Sequence, residues 1–407
     1  MNRPILSRRG RWAVPAGALA VTGAVIAAVL APSAQASPIL PARTSAQLLA
    51  AVSGRDAALP PFTGTVVEDA KLGLPDLPGV ADPTSVTSLL TGSHSMRIWY
   101  GDSSHLRLSV PGEMSEGDVF VNGRTAWYWQ SSPDQATKFL LPADAAKTHQ
   151  LPKVPELTPQ QAAQQALAAV GPTTTVSLQR NVEVAGQAAY QLVLAPKSSS
   201  SLIGQVRIAV DGSRYIPLRV QVFARGATSP SFQVGFTSIS FVRPAASNFS
   251  FTPPPGAKVS TEKLGDMDQS GQGMKDRSLN GSRTFGTSWL TVAELPASEL
   301  SGALAGMGGF EHSSSQAAPG QGNAAVGGAV SSSAQSVAGT PGGGGPGISG
   351  SGLFGLAMRS AKNVHGSWGS GQLLHTGLLS VLMTSDGRVF LGAVTPAVLY
   401  HDAAQAK

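Results

Sequence analysis

The sequence predicts an α+β fold built on one large antiparallel sheet, followed by a second, small α+β domain. Three observations lead there. From Gln205 to Gly256, Val206, Ile208 and Val210 alternate with polar residues, Asp211-Gly212-Ser213 supplies a turn, and Ile216, Leu218, Val220 and Val222 alternate again. Asn122-Gly123, between Val119-Phe120-Val121 and Ala126-Trp127-Tyr128-Trp129, reads as a two-residue hairpin loop because both residue types tolerate positive φ. After Ser260 the chain turns polar and Gly-rich, which marks a boundary. In the strand starting at Phe232, the apolar positions Phe232, Val234 and Phe236 change parity at Ile239 and Phe241. A bulge near Thr237 and Ser238, or a strand buried on both faces, accounts for the switch.

In chain order, Thr44 or Ser45 caps a short helix that carries Leu48, Leu49 and Val52 at helical spacing. Phe62–Ala70, Ser95–Tyr100 and His105–Val110 follow as strands, with Met96, Ile98 and Tyr100 on one face. Trp127 and Trp129 share a face and Tyr128 takes the other, and Lys138–Leu141 adds a further strand. Thr158 caps a second helix with Pro159 at its first position, and Gly171-Pro172 ends it. Thr174–Arg180, Val182–Val184 and Ala188–Leu194 are strands, the last two joined by Ala185-Gly186-Gln187.

These elements place one domain at 44–259, a linker at 260–283 and a small α+β domain at 284–407. In the last, Ser288–Val292 is read as a strand, Ala297–Ala305 as a helix, and Leu378–Thr384 with Arg388–Val394 as a hairpin. A helix opens at Thr395-Pro396 and continues through Tyr400. The tract 306–352 is almost entirely Gly, Ser, Ala, Pro and Gln and is expected to be disordered.

Residues 1–36 have a basic start through Arg11, an apolar run from Ala13 to Ala31 and Ser33-Ala34-Gln35-Ala36 as a small-residue cleavage site, which predicts export. The apolar run is nearly long enough to span a bilayer, so an uncleaved anchor stands beside a cleaved signal peptide. Loss of this segment, with Arg3, Arg8, Arg9 and Arg11 and no acid, lowers the formal net charge from +6 to +2 and removes the case for nucleic-acid binding. The absence of cysteine excludes a lipid-modified cysteine and a disulfide framework.

No H-E-x-x-H, G-x-S-x-G or Walker motif is present, and the seven histidines are scattered. No catalytic residue, metal or cofactor is therefore assigned. Glu113 with Glu116 and Asp266 with Asp268 lie in polar loops, without the perturbed environment that acid-base chemistry needs. What remains is apolar geometry, and periodicity alone reads its aromatic positions as ordinary core.

The order of these features resembles the bacterial LolA-like lipoprotein-carrier superfamily over Thr44 to Val259, about half the chain. The residues that carry the resemblance are the Asp211-Gly212 turn into Ile216-Pro217-Leu218-Arg219-Val220, the strand ending Phe236-Thr237-Ser238-Ile239, and the exit Phe251-Thr252-Pro253-Pro254-Pro255-Gly256. The resemblance implies an unclosed β-barrel, a curved sheet wrapped around helices whose concave face holds acyl chains of a lipid or lipoprotein. Strand parity then offers Met96, Tyr100, Trp127, Trp129, Val220, Val222, Phe232 and Val234 as lining. The same superfamily includes RseB-type proteins, in which a smaller C-terminal domain follows and the partner is a membrane-embedded anti-sigma factor. That layout makes regulation of an envelope-stress sigma factor the alternative function. A hydrolase assembled from distant residues is a third reading without a motif.

Overall fold

Each of the first two helices starts with a reciprocal pair of bonds between a threonine and the glutamine three residues on. In α1 (Ser45–Ser53) the Thr44 N–H donates to Gln47 Oε1 at 3.0 Å and the Gln47 N–H to Thr44 Oγ1 at 3.2 Å. In α2 (Pro159–Ala168) Thr158 and Gln161 repeat the exchange at 2.9 and 3.2 Å. Two of the donors that an opening helix turn leaves unpaired are satisfied each time. The computed structural model describes residues 37–53, 59–73, 91–112, 115–141, 158–168, 170–263, 282–297 and 360–406. The leader at 1–36, the Gly/Ser tract at 306–352, most of the linker and most of the helix expected at Ala297–Ala305 lie outside them.

The main sheet consists of two meanders. The first is β1 (Phe62–Lys71), β2 (Thr91–Asp102), β3 (His105–Pro111), β4 (Glu116–Asn122), β5 (Thr125–Gln130) and β6 (Gln135–Leu140). The second is β7 (Thr174–Val184), β8 (Gln187–Pro196), β9 (Ile203–Asp211), β10 (Pro217–Ala224) and β11 (Phe232–Ser240). Pairing of β1 with β11 joins them, and β12 (Lys258–Lys263) is added beside β6. The twelve-stranded sheet runs from β12 at one edge to β7 at the other and is not closed.

The sheet is mixed, whereas the sequence predicts a wholly antiparallel one, because β12 runs parallel to β6. A hairpin can only deliver an antiparallel neighbour; a parallel one needs a crossover. The chain between β11 and β12 is that crossover: it passes through a 3₁₀ turn (Ala246–Phe249) and brings Phe251 against Phe120, Trp127 and Trp129. The strand β12 extends to Lys263, into the stretch read as linker.

Turn geometry differs from expectation at two hairpins. Asn122 pairs with Thr125, so the two-residue loop is Gly123-Arg124 and only its first residue has positive φ (61°). Glycine at the first central position is what a type II′ turn requires. Likewise Val184 pairs with Gln187, leaving Ala185-Gly186 with φ of 52° and 76°.

The parity switch in β11 is resolved by a bulge. Phe236 pairs with Val66 and Ser238 with Thr65, so Thr237 is the extra residue and Phe232, Val234, Phe236, Ile239 and Phe241 share one side. On that side Gly64 seats the Phe236 ring: a Cβ at residue 64 would lie 2.7 Å from two of its carbons.

A second, antiparallel sheet comprises β13 (Arg283–Phe285), β14 (Val292–Pro296), β15 (Lys362–Gly366), β16 (Gly369–His375), β17 (Ser380–Thr384) and β18 (Arg388–Gly392), with α3 (Pro396–Gln405) on one face. Ser288–Leu290, expected as part of a strand, is a 3₁₀ turn in which Ser288 has φ of 56°. The following Trp289 leaves the second sheet: it joins the main core cluster and its Nε1–H donates to Thr174 Oγ1 at 2.7 Å. Ser201 also bridges to Val394, and Pro38–Lys407 forms one compact unit.

Two outcomes follow. Gly64→Val should lower the unfolding free energy by about 1–3 kcal/mol through overpacking against Phe236, measured by urea denaturation; an unchanged midpoint would contradict the seating of that ring. Phe251→Ala should expose Trp127 and Trp129, seen as red-shifted emission and stronger acrylamide quenching, and unchanged emission would show that the crossover does not cover them.

Candidate functional site

The side of the main sheet that carries α1 and α2 is lined by rows of apolar residues, one from each strand. One row runs Ala70, Phe232, Val222, Val206, Leu194 and Val176 across β1, β11, β10, β9, β8 and β7. The next runs Glu68, Val234, Val220, Ile208, Leu192 and Leu178. Toward the other end, Tyr100, Leu106, Val121, Ala126 and Phe139 make a row through β2 to β6. Residues from both meanders belong to one core cluster. Its helical cover is Val52 of α1 and Ala162 and Ala163 of α2, and α2 packs on β10 and β11.

Of the eight positions derived from strand parity, six lie on this inner side. Val220 with Val234, and Val222 with Phe232, are directly opposed pairs on β10 and β11. Met96 lies beside Val66, and Tyr100 stacks on Phe62 with ring centroids 5.6 Å apart. Trp127 and Trp129 lie on the opposite side, where they meet Phe251 at 5.5 and 5.8 Å. Parity groups residues correctly within a strand, but Trp127 and Met96 are on different strands, and periodicity cannot say that their faces oppose.

Accessibility divides the inner set further. Val220 and Val234 are sealed (1% and 0% exposed), and Met96 is buried. Tyr100, Val222 and Phe232 are only partly buried, as are Tyr128, Ile239 and Phe241, which the parity argument missed. These open positions fall at two ends: Val222 and Phe232 at one, and Tyr100, Ile239 and Phe241 at the other. From Ala70 to Phe62 the strand rises about 27 Å. Burial pushes the Tyr100 phenol up from its ordinary range, and the Asp102 carboxylate adds to the effect.

Polar groups interrupt the inner side where Glu68, 4% exposed, pairs in register with His94 and Val234, and toward the β12 edge at Gln130, Gln135 and Thr137. The signal for Glu68 was present in the sequence as an acid at core parity between Val66 and Ala70. At the Tyr100 end, Arg214 lies 3.8 Å over the Phe241 ring and Arg43 5.9 Å over Tyr215.

The opposite side has a different chemistry. Trp99 lies between Arg97 and Arg107, at 5.0 and 4.7 Å, and Arg107 pairs with Asp118 at 2.6 Å. Burial pushes the Asp118 carboxyl up, opposed by Arg107. Among the described residues, no group of three His, Cys, Asp or Glu is placed to hold a metal ion, and no helix is long and apolar enough to cross a membrane.

No protein-family model matches the sequence, and no curated protein matches it. Among solved structures, the chain is similar to one in the Pseudomonas aeruginosa MucA/MucB complex, at 14% identity over 88% of this chain and 94% of that chain, with a TM-score of 0.36. It is also similar to a LolA superfamily protein from Nitrosomonas europaea (12% identity, 52% of this chain and 99% of that one, TM-score 0.22). The Mycobacterium tuberculosis lipoprotein LppX gives 9% identity over 46% of this chain and 92% of that one, with a TM-score of 0.24. At these identities and TM-scores the likeness carries no argument about family or function.

Proposed function

We propose that this is an exported, non-enzymatic cell-envelope protein that holds a lipid, or the acyl chains of a lipoprotein, against the inner side of its unclosed sheet. The observation that carries the reading is the set of partly exposed apolar side chains at both ends of a mostly apolar surface, interrupted by the Glu68 and His94 row. An ordinary sealed core does not leave Tyr100, Val222, Phe232, Ile239 and Phe241 partly exposed together. A bilayer's hydrocarbon core of about 30 Å is two chains deep, so a single acyl chain fits lengthwise along strands that rise about 27 Å. Each buried CH₂ contributes about 0.8 kcal/mol, so partial enclosure of one chain is enough for tight binding.

In this reading Tyr100, Val222 and Phe232, with Tyr128, Ile239 and Phe241, contact the chain, while Met96, Val220 and Val234 form the floor. Trp127 and Trp129 stand outside the site. The Glu68 and His94 row supplies polar groups of the kind that orient a ligand in an apolar pocket. Protein purified from its own envelope, analysed by native mass spectrometry and organic extraction, should carry an acylated molecule. Val222→Glu and Phe232→Glu should each reduce its occupancy about tenfold or more, since a charge facing the chain is desolvated without a partner; Trp129→Phe should leave occupancy unchanged. A clean apo mass from the wild type, or equal loss in Trp129→Phe, would overturn the reading.

A second reading is an RseB-like regulator that meets a membrane anti-sigma partner and governs an envelope-stress sigma factor. It is favoured by Trp289, which ties the second sheet into the main core and provides a route for coupling the two. Cross-linking in the envelope from exposed positions of the second sheet should then recover a membrane protein; recovery of none would leave the carrier reading alone.

A further inference from the structure

Arg207 and Arg219 lie on the outer side of β9 and β10 as diagonal cross-strand neighbours, since Arg207 is opposite Gln221 and Arg219 opposite Ala209. Both are only partly exposed. The Arg207 guanidinium carbon lies 4.3 Å from the centroid of Phe223, a buried ring, and Arg207 Nε is enclosed without an acceptor. The stem of Arg219 crosses Gly235, where a Cβ would stand 2.8 Å from Arg219 Cγ. Glycine in the middle of this strand thus gives the arginine its seat.

Among the described residues the surroundings supply amides and no paired counter-charge. Gln221 donates to Gln233 at 2.6 Å, and Gln191 donates to Gln179 at 3.1 Å. The acid on the row of Arg207, Asp69, lies three strands away opposite Gln233 and is held by Lys71 at 2.8 Å. Among the described residues no carboxylate forms an ion pair with either arginine. Burial, and then the charge of Arg207, lower the Arg219 pKa. Two cations held together and partly withdrawn from water are costly without a counter-ion. Their planar donor forks match the oxygens of a phosphate group.

We propose that Arg207 and Arg219 form a phosphate-binding site on the outer side of the sheet, separate from the apolar inner side. The phosphate comes either from a free anion or from a lipid headgroup, and the site does not depend on the acyl-chain reading.

The test is thermal unfolding of the full chain in sodium phosphate and in sodium chloride at equal ionic strength. Phosphate should raise Tm saturably in the wild type, and the rise should be lost in Arg207→Gln and in Arg219→Gln, with Arg219→Lys weakened. In chloride, Arg219→Gln should melt no lower than the wild type, because it removes an unpaired, partly buried charge. Flotation with phosphatidylglycerol vesicles that phosphate competes away and Arg207→Gln abolishes assigns a headgroup. A phosphate-dependent Tm rise without flotation assigns the free anion. Equal Tm in phosphate and chloride, or a rise that survives in both Gln variants, overturns the site.

Discussion

A twelve-stranded sheet with one apolar side must hide that side, and among the described residues the two helices that pack on it are nine and ten residues long. Eleven inter-strand spacings of about 4.8 Å extend some 50 Å, whereas a ten-residue helix is about 15 Å long. Described helices of that size roof only part of such a surface, and side chains of neighbouring strands bury one another along it. Residues of both meanders accordingly share one cluster. The Thr237 bulge serves the same end, because it returns Ile239 and Phe241 to the side already occupied by Phe232, Val234 and Phe236. Where this cover runs out, at the two ends of the surface, aromatic and aliphatic side chains stay partly open.

The two sides of the sheet divide the labour. On the inner side most residues are aliphatic or aromatic, with polar exceptions at the row of Glu68 and His94 and at Gln130, Gln135 and Thr137 near the β12 edge. On the outer side, aromatic rings are combined with cations: Trp99 with two arginines, Trp127 with Lys138 at 5.6 Å, Phe223 with Arg207. At Trp99 and Trp127 these contacts let an amphipathic face remain partly exposed, whereas the Phe223 ring is buried under Arg207. Phe251 uses part of that face to anchor the crossover, and the crossover is what permits the parallel β12 edge.

Much of this was legible in the residues. Alternation gave the strands of the second meander, Thr44 or Ser45 and Thr158 with Pro159 marked the helix starts, and the parity switch at Ile239 signalled a bulge or a strand buried on both faces. Other features depend on contacts distant in sequence. Nothing local in Lys258–Lys263 distinguishes a strand from a linker, because its pairing with β6 depends on where the crossover lands. Lys362–Gly366 and Gly369–His375 are too polar and Gly-rich to alternate clearly, yet they pair as a hairpin. Trp127 and Trp129 looked like lining because they are large and apolar, but periodicity assigns faces only relative to neighbours on the same strand. Their partner, Phe251, lies more than a hundred residues away in the chain.

The measurement that tests the central claim most directly is paramagnetic broadening by spin-labelled stearic acid, observed by NMR on the methyl groups and tryptophan indoles of the intact protein. Binding along the inner side predicts selective broadening of Val222 and Ile239 methyls, with the indoles of Trp127 and Trp129 unaffected. Broadening of those two indoles with the inner methyls unchanged would contradict the account.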